Sequence, residues 1–297
     1  MLYNDTTEKY KCVGMSTSCT VTLNGNTDDA STKDDVGMSA KPTVISKSWQ
    51  VQIESLNVLD AAAILHAIKH QIPFKLYWDE TSTLNNQSLE GAGFARGGNA
   101  YLSDVTFNFN DRENSSKSLQ FIGTGALTEF ADAPSIEVYT PSDSYEKGQF
   151  IRLFLGSDNT ETPAKVIASA KELSLHISLS LEDATTKDTA DDWQVQEPTG
   201  LSYDITTTAL MRGNDTITSG VMAQELSDVM SIYEASTPVK FQIAHTSGGN
   251  NRTKGTVIIA GSVVITSLTL NGPNRQNADY TAQFNGYGAY DVPSVES

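Results

Sequence analysis

His66 and His70 stand four residues apart, the spacing at which a helix turns two metal ligands to one side. Ala67, Ile68 and Lys69 lie between them and no glutamate follows His66, so the base of a zinc hydrolase is missing and an inert, exposed pair is expected. Gly91-Ala92-Gly93-Phe94-Ala95-Arg96-Gly97-Gly98 joins glycines to an arginine, the ingredients of a phosphate cradle. A strand follows it rather than a helix N-terminus, so the dipole that holds an anion is absent and the stretch reads as a loop. Two acidic clusters, Asp28, Asp29 and Asp34 and later Glu182, Asp183 and Asp188, have the residue types of calcium ligands or of paired catalytic carboxylates. Lys33 and Lys187 sit inside them and the EF-hand spacing is missing, which favours salt-bridging loops that dock onto another subunit. No nucleophile–base pair, Walker loop or zinc framework occurs, so the expectation is a non-enzyme without metal or cofactor.

The acidic clusters are more informative as a pair. Asp28-Asp29-Ala30-Ser31-Thr32-Lys33-Asp34 returns as Glu182-Asp183-Ala184-Thr185-Thr186-Lys187-Asp188, with chemical type kept throughout. The shift from Asp29 to Asp183 is 154 residues, and it also carries Trp49 to Tyr203, Val51 to Ile205 and Leu56 to Leu210. Pro73 to Pro238 is a shift of 165, so the second copy has about eleven extra residues near Arg212-Gly213-Asn214-Asp215-Thr216. Tyr101–Phe107 then matches Val264–Leu270, and Phe121–Ala126 matches Phe284–Ala289, both at 163. A repeat this long is a domain rather than a solenoid turn. The division is 1–130 for the first unit, 131–149 for a Pro- and Ser-rich linker and 150–297 for the second unit.

The chain of 297 residues carries a net charge of −16 and a pI near 4.5, with no basic run to grip a phosphate backbone. No stretch approaches a membrane span and the first residues lack a secretory signal, so a soluble, cytoplasmically made protein is expected. Cys12 and Cys19 both fall in the first copy and are replaced by Val166 and Leu173 in the second, which argues against a structural disulfide.

Residues 1–11 read as a flexible arm, with a faint strand at Leu2-Tyr3. Alternation from Thr17 to Leu23 predicts a strand, Asn24 to Thr43 a long polar loop, and Val44 to Leu56 a strand built on Trp49, Val51 and Ile53. Asp60 can cap a helix through Ala61–His70, ended by Pro73, and strands follow at Pro73–Trp78, Tyr101–Phe109 and Ser118–Gly123. In Tyr101–Phe109 the predicted faces are Tyr101, Ser103, Val105, Phe107 and Phe109 against Leu102, Asp104, Thr106 and Asn108. The second unit repeats the order, opening with a strand at Phe150–Leu155 and with its helix at Gln224–Ala235. The fold class is mainly β, antiparallel, with one helix per unit.

Ser16–Leu23 leading into the acidic loop, Lys47-Ser48-Trp49-Gln50-Val51, Ala100–Val105 and Phe121–Leu127 together resemble the major tail tube proteins of long-tailed bacteriophages. The resemblance implies two tandem β-sandwich or split-barrel units whose strands join an intersubunit β-barrel. Trp49, Val51, Ile53, Tyr101, Val105 and Phe107, with Tyr203, Ile205, Val264, Leu268 and Leu270, would supply barrel strands. Asn24–Thr43 and Ser178–Thr199 would be ring-stacking loops, and the helices outer or inter-unit packing. It further implies homotrimeric, pseudo-hexameric rings stacked into a virion tail tube assembled in the host cytoplasm. Its partners would be tape measure, tail terminator and baseplate or tip proteins, and DNA would cross a repelling, negative lumen without specific binding or any membrane contact. Other readings are the tube of an injection or secretion system, a tail-tip or carbohydrate-binding surface module, or a hydrolase on a β scaffold. Trp78 and Trp193 are not repeat partners, so a shared aromatic binding patch has little support.

Overall fold

The computed structural model describes residues 2–4, 9–11, 13, 15–32, 40–56, 61–78, 95–129, 146–189, 192–211, 223–224, 226–247 and 253–293. The strands among them are β1 (Leu2–Asn4), β2 (Lys9–Lys11), β3 (Ser16–Asp29), β4 (Pro42–Ser55), β5 (Phe74–Trp78), β6 (Arg96–Asn108) and β7 (Ser116–Glu129). They continue with β8 (Ile151–Leu155), β9 (Lys165–Ile167), β10 (Ala170–Asp183), β11 (Gln196–Leu210), β12 (Ala223–Gln224), β13 (Val239–Ser247), β14 (Thr253–Asn271) and β15 (Asp279–Gly286). The helices are α1 (Ala61–Lys69) and α2 (Leu226–Ala235). The chain is therefore mainly β, as expected, and its strands form one sheet, antiparallel except where β12 meets β9.

In the first half the neighbours run β3-β4-β7-β6, and β6 continues to β5, β1 and β2. In the second half they run β10-β11-β15-β14-β13-β8-β9. The registers agree pair by pair: Leu23 faces Trp49 as Ile177 faces Tyr203, and Val51 faces Phe121 as Ile205 faces Phe284. Leu102 faces Phe121 as Ile265 faces Phe284, and each match is followed by a bulge. The bulged residues behave alike, since Ser103 Oγ donates to Gln120 O at 3.1 Å and Thr266 Oγ1 to Gln283 O at 3.3 Å. Left-handed backbone recurs at Met15 and Ser169, Gln71 and Ser236, Arg112 and Arg275, and Gly125 and Gly288.

Each half closes its core with an aromatic ring laid over a glycine. A Cβ on Gly123 would stand 2.1 Å from the Trp49 ring, and one on Gly286 would stand 2.5 Å from Tyr203. Trp49 Nε1 donates to Gly125 O at 3.1 Å and Tyr203 Oη to Ser262 O at 2.6 Å, so both polar tips are satisfied inside apolar surroundings. Val51, Ile53, Leu102, Val105 and Phe107 share one contiguous core with Leu175, Ile177, Ile205 and Phe284. The helix stripe is short: Ile64, Leu65 and Ile68 of α1 are buried, and α1 packs on β6 of its own half and on β14 of the other.

Several expectations are corrected. β3 runs on to Asp29, because polar residues 24–29 keep their backbone bonds to β4 although every side chain there is exposed. Arg96, Gly97 and Gly98 belong to β6, where a side chain at 98 would strike Trp49; Gly91 and Gly93 lie outside the described residues. The bulge after Leu102 shifts the alternation of β6, so Leu102 joins Val105 and Phe107 in the core and Tyr101 is left half-buried at its margin. Leu2–Asn4 and Lys9–Lys11 are strands rather than a loose arm, held by β5 through Leu76. The insertion near Arg212 and residues 131–145 of the linker lie outside the described residues.

Candidate functional site

The acidic clusters are built by turns. Asp29 Oδ1 accepts the Ser31 N–H at 2.9 Å, the Ser31 hydroxyl and the Lys41 N–H at 3.2 Å, and Asp183 Oδ1 accepts the Thr185 N–H at 2.9 Å and the Thr185 hydroxyl. The hydrogen bond from the Ser31 side chain, helped by the Ser31 and Lys41 N–H groups, holds the Asp29 carboxyl below its usual range. Ala30 N donates to Lys41 O and Ala184 N to Val195 O, which closes the same arm in both halves. Among the described residues hydroxyl turns order both arms: Asp28 accepts the Asp29 N–H, and Glu182 stands opposite Glu197 across the hairpin. Lys187 and Asp188 occupy the exposed turn, while Lys33 and Asp34 lie outside the described residues. No cluster of three metal-ligating side chains occurs among the described residues. The His66 and His70 rings simply stand 4.3 Å apart.

The arm of the second half bends sideways onto the first half. Lys47 N donates to Asp192 O at 2.7 Å, Gln194 N returns a bond to Lys47 O at 2.9 Å, and Gly125 N donates to Gln194 O at 2.8 Å. The Lys47 ammonium lies 5.9 Å from the centre of the Trp193 ring, and Gln196 N donates to Thr124 Oγ1 at 3.0 Å.

Beneath that arm the two halves share a strand pair. Ser174, Leu175, His176, Ile177 and Ser178 of β10 face Asn108, Phe107, Thr106, Val105 and Asp104 of β6. Phe107, Val105, Leu175 and Ile177 are buried in the core, and the intervening residues form a polar face. Gln50, Gln52, Gln120, Thr106, Ser174 and Thr206 on that face are hydroxyls and amides, half-buried or exposed. The ionisable group at its centre is His176, with Nδ1 2.7 Å from Asp204 Oδ1 and Nε2 2.6 Å from Asp104 Oδ2. Carboxylates only accept, so both ring nitrogens donate and the imidazole is cationic. Burial pulls its pKa down, but the hydrogen bonds it donates to Asp204 and Asp104 outweigh this and the net shift is upward. With both nitrogens engaged, His176 has no lone pair with which to activate a nucleophile.

At the two ends of this wall the equivalent strands have a neighbour on one side only among the described residues. β3 pairs only with β4, and the Val264–Asn271 end of β14 pairs only with β15. Leu23 is 56% exposed and Leu270 50%, whereas their equivalents Ile177 and Phe107 are 0% and 1% exposed. Of the anticipated barrel residues, Trp49, Val51, Ile53, Tyr203, Ile205, Val105 and Phe107 lie on the core side of the wall. Val264 lies on its polar side, Tyr101 is half-buried and packs against the core, and Leu268 and Leu270 lie on its open edge. His176, Asp104 and Asp204 went unnoticed in the sequence because they lie on three separate strands; the one available signal was that a histidine stands where the first copy has Thr22.

No protein-family model and no curated protein matches the chain. Several solved structures are similar to part of it. One is a chain in the tail of an empty gene transfer agent particle with C6 symmetry, at 18% identity and a TM-score of 0.36, covering 48% of this chain and 93% of that one. Another belongs to the virion of a native gene transfer agent particle, at 15% identity and a TM-score of 0.35, covering 50% of this chain and 98% of that one.

Proposed function

We propose that the chain is a structural, non-enzymatic subunit of a phage-type tail tube, built from two copies of one unit at 1–130 and 150–297. The observation that carries this reading is a wall with two unlike faces and two open ends. One face is sealed by the core and the helices, the other is lined with hydroxyls and amides, and a strand edge is exposed at each end. An unpaired edge recruits another chain, and closing the sheet into a barrel removes the edge. Three chains then present six units around a channel, and rings stacked head to tail extend as an open filament. The arms ending at Asp28, Asp29, Glu182 and Asp183 would contact the next ring, and the helices the flanking units.

The polar face would line the channel. Hydroxyls and amides carry no counterions to release, and the cation on that face, His176, is held between Asp104 and Asp204, so DNA would pass without binding. The lumen would stay weakly negative, because the one imidazolium at His176 offsets only one of the two charges on Asp104 and Asp204. Other tail proteins would be the partners, and the virion tail the location.

Concentrated purified protein imaged by electron microscopy tests the proposal. Rings or tubes with an axial hole are expected; discrete monomers at every concentration would overturn it.

A further inference from the structure

Moving the β6–β10 junction by the two sequence shifts gives a definite contact between copies. We infer that β3 of one molecule adds to the free edge of β14 in a second copy of this chain, with Thr20, Val21, Thr22, Leu23 and Asn24 facing Asn271, Leu270, Thr269, Leu268 and Ser267. The inference rests on the reading of the chain as a ring-forming subunit, and it adds the partner strand and the register.

Three independent parts of the molecule meet on the same interface. At the strand edge, Leu23 and Leu270 are solvent-exposed while the residues in their places at the internal junction are fully covered. On the helix, Tyr233 of α2 is 43% exposed where Ile68 of α1 is 1% exposed, because α1 is covered by the other half: Tyr290 Oη donates to Leu65 O at 2.8 Å. Beside the arm, Gly288 repeats the left-handed backbone of Gly125, with φ of 75° and 78°. Gly125 uses that conformation to donate to Gln194 of the adjacent arm, and Ala40 is the first-copy equivalent of Gln194. The arm of one copy therefore lies sideways on Gly288 and the exposed Tyr287 of the next copy.

The contact between copies lacks one feature of the internal junction. His176, Asp104 and Asp204 become Thr22, Ser267 and Gln50, so the surface joining two molecules is neutral where the surface within one molecule is ionic. A neutral polar seam forms without stripping water from charges, which suits a contact that must assemble from separate chains.

Paired cysteines read the register. In a background with Cys12→Ser and Cys19→Ser, Thr22→Cys is combined with Thr269→Cys, and separately with Ser267→Cys, which lies two residues off. Opposed strand residues fall within disulfide reach and diagonal ones fall outside it. In one molecule the strands that carry the two engineered positions are separated by β4, β7, β6, β10, β11 and β15, so each bond joins two molecules. Mild oxidation of assembled protein is expected to give a ladder ending at a closed trimer for the in-register pair, at least about tenfold more than for the offset pair. Tubes whose offset pair bonds as well as or better than the in-register pair would overturn the register and leave the tube standing. Protein that neither assembles nor cross-links overturns both. As a second measurement, Leu23→Lys and Leu270→Lys should each raise the concentration needed for assembly by about tenfold or more, with the thermal midpoint of the monomer unchanged. Unaltered assembly would overturn the inference.

Discussion

The junction of β6 with β10 and the open edges of β14 and β3 occupy equivalent places, yet one is sealed and the other bare. Phe107 and Ile177 are core residues, while Leu270 and Leu23 face solvent. The backbone prepares the same register in both, so the difference lies in what each surface meets. A covalent linker delivers β10 to β6 within one chain, whereas β3 and β14 of one molecule are separated by β4, β7, β6, β10, β11 and β15. Apolar residues that look misplaced in a single molecule thus have a reason rooted in the half where their counterparts are already buried.

The sharpest way to break this comparison is to truncate both sides. Phe107→Ala should cost about 3–5 kcal/mol in denaturant unfolding of the monomer, and Leu270→Ala less than about 0.5 kcal/mol. Equal losses would mean that Leu270 is covered within the molecule. Next in size, Gly123→Ala and Gly286→Ala should each destabilise by about 1–3 kcal/mol, because the methyl group collides with Trp49 or Tyr203. Gly125→Ala should cost about 1 kcal/mol, through its positive φ alone. A smaller loss at Gly123 than at Gly125 would refute the ring-over-glycine account.

His176 provides a finer test, since the ionic group belongs to the internal junction only. Its folded pKa lies above the unfolded value near ~6.5, so its contribution is complete below that pH and fades as pH rises through the raised pKa. The group is partly exposed, so the contribution should stay below ~1 kcal/mol. The stability gap between the native chain and His176→Gln should therefore be widest near pH ~6 and narrow towards pH ~9. A gap that widens with pH would remove the cationic clamp. Smallest of all, Asp29→Asn and Asp183→Asn should leave the melting temperature and lateral cross-links unchanged while shortening tubes in micrographs. Full-length tubes would take the stacking role away from both arms.

Much of this arrangement was legible in the sequence. Leu173, Leu175, Ile177 and Leu179 alternate with polar residues, and β10 lies where they put it. The stretch Ala61–Lys69 is a helix, as its stripe required. The reading failed where a partner strand supplies the order. Residues 24–29 have no apolar pattern, and only pairing with β4 makes them a strand. Gly97 and Gly98 resemble a loop until Trp49 fills the space above them. In β6 one bulged residue was enough to put Leu102 rather than Tyr101 in the core.

Side-chain type repeated along one chain is local information, and it determined the strand-rich, mainly antiparallel composition and the place of the helices. The pairing of β10 with β6, the clamp on His176 and the choice of exposed edges were decided only by the tertiary structure. They depend on which residues far apart in the chain share a sheet neighbour, and no periodicity within one strand encodes its neighbour.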